Sequence, residues 1–122
     1  MGARTISGHL AEDPISVMAG ALPLTKFVVV ENTFEYRNGK KFVHPDTISH
    51  HVEAAFQLGE NVAASLRKGM GVIVTGTERG TSWPGEGDNI RRGTVLRADD
   101  IGPSLLHAVA QVMKTSRVDD GA

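Results

Sequence analysis

The chain changes hydrophobic period once, between Leu58 and Gly69, and that single switch limits its fold more than any other feature. Leu58, Val62 and Leu66 are spaced four apart, which places one apolar stripe on a helix of about three turns over Leu58–Arg67. Arg67 and Lys68 stand where cations complement the helix dipole, and Gly69 is a natural stop. The rest reads as strands. "RTISGHLAEDP" is a short strand closing on the Asp13-Pro14 turn. "LPLTKFVVVENTF" sets β-branched Val28 to Val30 beside Phe27. Asn38-Gly39 is a strong hairpin signal. In "DTISHHVEAAF" Ile48, His50, Val52 and Ala54 share one face, and Ser49, His51, Glu53 and Ala55 the other. "GVIVTG" is a strand between glycines, "SWPGEGDN" a loop, and "RRGTVLRADD" a strand leaving it. "IGPSLLHAVAQV" fits a helix through Leu105 and Val109, or a strand through Leu106, Ala108, Ala110 and Val112.

About three strands, one helix, then two or more strands is the order of the OB-fold, a partly open barrel that binds oligonucleotides on one face. The expected class is all-β with one helix: a five-stranded Greek-key barrel, the helix between strands three and four, with an extra C-terminal strand. A chain of 122 residues holds one such domain, here 1–114, followed by a short disordered end at 115–122.

Composition narrows the chemistry. There is no cysteine, which removes disulfides, thiolate metal sites and cysteine nucleophiles together. No apolar run approaches the ~20 residues of a membrane span, and no signal peptide opens the chain; a cytoplasmic protein without a membrane partner is expected. The net charge of −1 offers no global attraction to polyanions, so any binding of nucleic acid must rest on a local patch.

Five stretches, in order, resemble the bacterial single-stranded DNA-binding proteins. "SGHLAEDP" is similar to that family's Gly-Asn-Leu-x-x-Asp-Pro opening, with His9 in the Asn place. "ENVAASLRKG" resembles its helix and Arg-Lys-Gly stop, "GVIVTGT" its following strand, and Trp83 stands at the family's Trp shortly after. "DDIGPSLLHAVAQV" resembles the extension of actinobacterial members, an extra strand that clamps subunits. The resemblance implies an OB-fold homotetramer that wraps single-stranded DNA without sequence preference, in replication, recombination or repair, with no cofactor and no catalysis. Its chemistry is aromatic stacking, worth ~1–3 kcal/mol per base, over a salt-sensitive basic track. Family members usually continue into a long linker and an acidic tip that recruits replication and repair enzymes. This chain stops at "SRVDDGA", so recruitment of that kind is not expected.

Trp83, the only tryptophan, is the foremost candidate for stacking, placed after a strand and before a flexible loop. Phe34 and Tyr36 lie near the family's first stacking Trp. The family's other stacking rings fall on Ser49 and Ala55, where rings are missing, and His51 between them offers a weaker platform. Phe56 reads as core. Lys26, Arg37, Lys40, Lys41, Arg79, Arg91 and Arg92 are candidates for the phosphate track, with Arg37/Lys40/Lys41 and Arg91/Arg92 each flanking a proposed aromatic.

Two rivals remain. An OB-fold interaction module with weak or no DNA binding is favoured by the missing rings and the low net charge. A metal enzyme using His44, His50 and His51 is disfavoured, because His50 and His51 are adjacent on a strand and point to opposite faces.

Overall fold

The computed structural model of the chain describes residues 3–115, except the side chains of residues 32–35 and 43–46. Six strands and one helix follow in the order β1 (Ala3–Leu10), β2 (Ile15–Ala19), β3 (Leu22–Arg37), β4 (Lys40–Ala55), α1 (Phe56–Ser65), β5 (Gly71–Pro84) and β6 (Ile90–Pro103). The pairing runs β1-β5-β6-β4-β3, and β1 returns to β3 through His9↔Val30 and Leu10↔Val29, closing a five-stranded ring. Among the described residues only β4 and β6 pair in parallel, over His51↔Val95 to Glu53↔Arg97. This is the OB-fold, with the helix entering between the third and fourth ring strands as expected.

Closure rests on two glycines at which another backbone comes close. A Cβ on Gly8 would lie 2.4 Å from the Val30 carbonyl oxygen, and one on Gly76 would lie 2.1 Å from that of Arg97. Gly76 also sits at the register shift where Asp99 is the extra residue between Gly76↔Ala98 and Thr75↔Asp100.

Inside the ring, Ile6, Leu10, Phe27, Val29, Val52, Val72, Val74 and Leu96 form the core, and Val62 of the helix and Leu66 at its C-cap close one end, with Leu58 packed against them. The stripe read from the spacing is therefore the buried face. The helix begins and ends two residues earlier than expected, at Phe56 and Ser65. Arg67 Nη1 donates to the Ala63 and Leu66 carbonyls at 2.8 and 2.7 Å, so its cation does cap the C-terminus. Gly69, at φ 89°, then turns the chain, and its N–H donates to the Leu10 carbonyl at 2.8 Å. The hairpin turn is as expected: Asn38 and Gly39 have φ 51° and 79°, the pair of positive values a two-residue turn of this kind needs.

Four expectations are corrected. The short strand β2 was not foreseen; it pairs with β3 over Ile15↔Lys26 to Ala19↔Leu22, outside the ring. Phe56 is not core but 63% exposed: its φ of 54° swings the chain at the strand-to-helix corner and turns the ring outward. Among the described residues of the single chain no further strand follows β6. The Ser104 N–H donates to the Gly71 carbonyl at 2.9 Å, after which residues 104–115 have neither helix nor strand geometry and Leu106, Val109, Val112 and Met113 are exposed. Finally, Trp83 and Pro84 belong to β5 rather than to a loop, because the pairing with β6 continues to Pro84↔Ile90. Of the expected tail at 115–122, residues 116–122 lie outside the described residues.

Candidate nucleic-acid interface

Strand alternation decides which candidates meet. On β4, His50, Val52 and Ala54 point inward and are buried, which turns Ser49, His51 and Glu53 to the outer face. Cross-strand register adds Lys26, Val28 and Val30 of β3 to that face, opposite Glu53, His51 and Ser49. From the other side the parallel pairing brings Val95 beside His51 and Arg97 beside Glu53. On the β5–β6 hairpin the same face carries Arg79, Thr81 and Trp83, opposite Val95, Gly93 and Arg91.

Of these residues Trp83, His51, Lys26, Val28, Glu53, Thr81 and Val95 line one groove of about 420 Å³, together with Glu12, Asp13 and Ile15. Trp83 is 45% exposed. Its indole lies over Gly93, where an added Cβ would meet ring atoms at 2.9 and 3.1 Å. One part of the ring is backed by the hairpin while the rest faces solvent and the groove. That is the posture of a platform for another flat group.

At the other end of the groove sits Glu53, buried on the outer face. Its Oε1 accepts from Arg97 Nη2 at 3.0 Å and Arg79 Nη2 at 3.2 Å, and Lys26 Nζ lies 3.8 Å from Oε2. Burial by itself would raise the Glu53 pKa, but hydrogen bonds and charge from Arg97 and Arg79 outweigh it and hold the carboxyl below its ordinary value. Neither Glu53 nor Arg97 was among the sequence candidates. Alternation puts Glu53 outward, but its partners arrive through the non-local β4–β6 pairing, which leaves no local signal.

The other candidates separate. Arg92 pairs opposite Ser82, so alternation turns it to the face opposite Trp83, and only Arg91 of that pair shares Trp83's side. Tyr36, Arg37, Lys40 and Lys41 are exposed at the tip of the β3–β4 arm, where Tyr36 is opposite Lys41 and Arg37 opposite Lys40. Arg37 lies over the Phe42 ring at 5.6 Å. From Val28 to Tyr36 the strand runs roughly 26 Å, so the tip is a separate patch from the groove. Phe34 pairs with Val43, and its side chain lies outside those described. His50 and His51 do not converge: His50 turns inward and its Nε2 is 2.7 Å from Glu31 Oε1, while His51 faces the groove; the side chain of His44 lies outside those described.

No protein-family model matches the chain. Curated relatives do. A single-stranded DNA-binding protein of Mycolicibacterium smegmatis is 42% identical over 116 residues, covering 93% of this chain and 70% of its own length. The chain belongs to the single-stranded DNA-binding protein family. A family member from Paenarthrobacter nicotinovorans is 33% identical over 93% of this chain and 68% of its own. One from Corynebacterium glutamicum is 46% identical over 93% of this chain but only 51% of its own. The chain thus spans between about half and 70% of the length of these relatives. Among solved structures, a small single-stranded DNA-binding protein from Streptomyces coelicolor shares the fold, with a TM-score of 0.74, 22% identity, and coverage of 84% of this chain and 94% of that one. So does a Plasmodium falciparum SSB in complex with ssDNA, with a TM-score of 0.68, 19% identity, and coverage of 85% and 95%. The expected ring positions Ser49 and Ala55 fall on the outer face by alternation, and neither lines the groove.

Proposed function

We propose that this chain binds single-stranded DNA without sequence preference along the outer face of its barrel, and that it catalyses nothing. The observation that carries this is the half-exposed Trp83 indole, which lines one groove with His51 and Lys26. Every base has a π face, so a ring held this way accepts any sequence, and cations beside it take the phosphates. Lys26, Arg79 and Arg91 form the near track. Tyr36, Arg37, Lys40 and Lys41, with Phe34 close by, form a second contact at the arm tip, and Arg92 joins only if the strand wraps round the hairpin.

The chain acts as a homo-oligomer, a tetramer by analogy with the family, in the cytoplasm, on strands exposed during replication, recombination or repair. Supporting self-association, Leu105, Leu106, Val109, Val112 and Met113 are exposed on a small domain, an apolar surface of the kind that assembly covers.

The test is anisotropy of labelled dT and mixed-sequence oligonucleotides of equal length, titrated with protein and then with salt. Similar affinity for both, with log K falling steeply against log salt, is expected. Absence of binding at low salt would refute the reading.

A further inference from the structure

The cluster around Glu53 is built the wrong way for a simple basic track. An acidic side chain lies on the face offered to a polyanion, and its side chain is only 11% exposed. The cations that hold it are far more open: Lys26, Arg79 and Arg97 are 52%, 53% and 33% exposed. The carboxylate therefore lies beneath, with the cationic groups between it and solvent. Within the cluster itself, three cations against one carboxylate leave a surplus of two positive charges, with Glu12 and Asp13 the other acidic groups of the groove lining. Arg97 Nε is buried and has no hydrogen-bond partner among the described residues.

Two oxygens of a carboxylate present to guanidinium groups much as two oxygens of a phosphodiester do. We infer that Glu53 is a built-in counter-ion of a phosphodiester subsite: it gathers Lys26, Arg79 and Arg97 at the end of the groove opposite Trp83, and it limits the charge they offer DNA. The inference rests on the proposed DNA binding and names a positioning and affinity-setting residue within it. A strand stacked on Trp83 passes His51 and reaches this cluster with a phosphate, which meets the solvent-facing sides of cations already fixed from below. Fixing them lowers the ordering loss on binding, while the retained negative charge weakens the pull and makes release easier.

The test compares the wild-type protein with Glu53→Gln and Lys26→Gln, using a dT oligonucleotide and reading log K against log salt. Glu53→Gln keeps the size of the side chain and raises the local surplus from two charges to three. If one further phosphate is neutralised, the slope steepens by about 0.7, equivalent to roughly fivefold tighter binding at 0.1 M salt. Lys26→Gln, at a half-exposed position that does not threaten the fold, lowers the surplus and should make the slope shallower by about the same amount. Wild-type binding that neither substitution changes, or a Glu53→Gln protein that stays folded and binds more weakly with an unchanged slope, would overturn the counter-ion role while leaving the DNA-binding reading intact. Loss of fold in Glu53→Gln leaves the decision to Lys26→Gln, where an unchanged slope overturns the subsite. A wild-type protein that does not bind the oligonucleotide at all defeats the parent reading first.

Discussion

The Trp83 indole rests on Gly93, its diagonal neighbour across the β5–β6 hairpin, so closely that a Cβ at Gly93 would lie 2.9 Å from ring atom Cη2. The glycine is what lets the ring lie along the hairpin and keep its other side open.

Gly93→Ala should therefore lift or rotate the ring rather than unfold the protein, since the atom it meets is the far end of a side chain. Stability is expected to change by less than about 1 kcal/mol. Trp83 emission should shift in the free protein, and oligonucleotide affinity should drop by about 1 kcal/mol or less, part of a full stacking contribution. Unchanged emission and affinity would mean that the ring does not depend on this support.

Two glycines of β5 should respond in opposite ways. At Gly76 an added methyl group meets backbone, 2.1 Å from the Arg97 oxygen and 2.9 Å from the Ala98 Cα, which cannot move without opening the barrel. Gly76→Ala is expected to lower unfolding free energy by ~3 kcal/mol or more. At Gly80 nothing lies within 4 Å, so Gly80→Ala should be neutral or slightly stabilising, by up to about 1 kcal/mol. Equal effects in denaturant titration would argue against the closure geometry.

Glu53 gives stability a pH dependence of definite sign. Burial opposes ionisation, but the Arg97 and Arg79 interactions win and lower the folded-state pKa. The unfolded chain then binds more protons at this site than the folded one. The stabilisation is complete above the unfolded-state pKa and is lost as pH falls through the folded-state one. Melting temperatures measured from about pH 6 down to about pH 3 should decline, and Glu53→Gln, already less stable at neutral pH by ~1–3 kcal/mol, should decline less. Parallel curves for the two proteins would assign the pH dependence to other carboxylates.

What could be read from the residues was whatever is local. The Leu58/Val62/Leu66 stripe, the Asn38-Gly39 turn and the inward set His50, Val52 and Ala54 each follow from spacing within a few positions, and together they determine the order of elements and hence the barrel. Misreadings arose where context overrode composition. Phe56 looks like core until the positive φ at the corner turns it out. Trp83-Pro84 borders a run of loop-forming residues, yet the hairpin pairing extends through it. Ile15–Ala19 is too short and too exposed to carry a strand signal, and it forms because Leu22–Lys26 offers it an edge. The Glu53 cluster is assembled from residues 26, 53, 79 and 97, and only the closed ring brings them together. Arg91 and Arg92 look equivalent as neighbours, but alternation separates them.

Trp83→Ala should weaken oligonucleotide binding by ~1–3 kcal/mol with fold retained, and the same ring offers the most direct measurement. Because it is the only tryptophan, its fluorescence reports one site. On adding dT oligonucleotide at low salt, the emission should be strongly quenched, and added salt should restore it. Emission that stays constant in a folded, oligomeric protein would contradict stacking at this groove and leave Trp83 a packing residue of the hairpin.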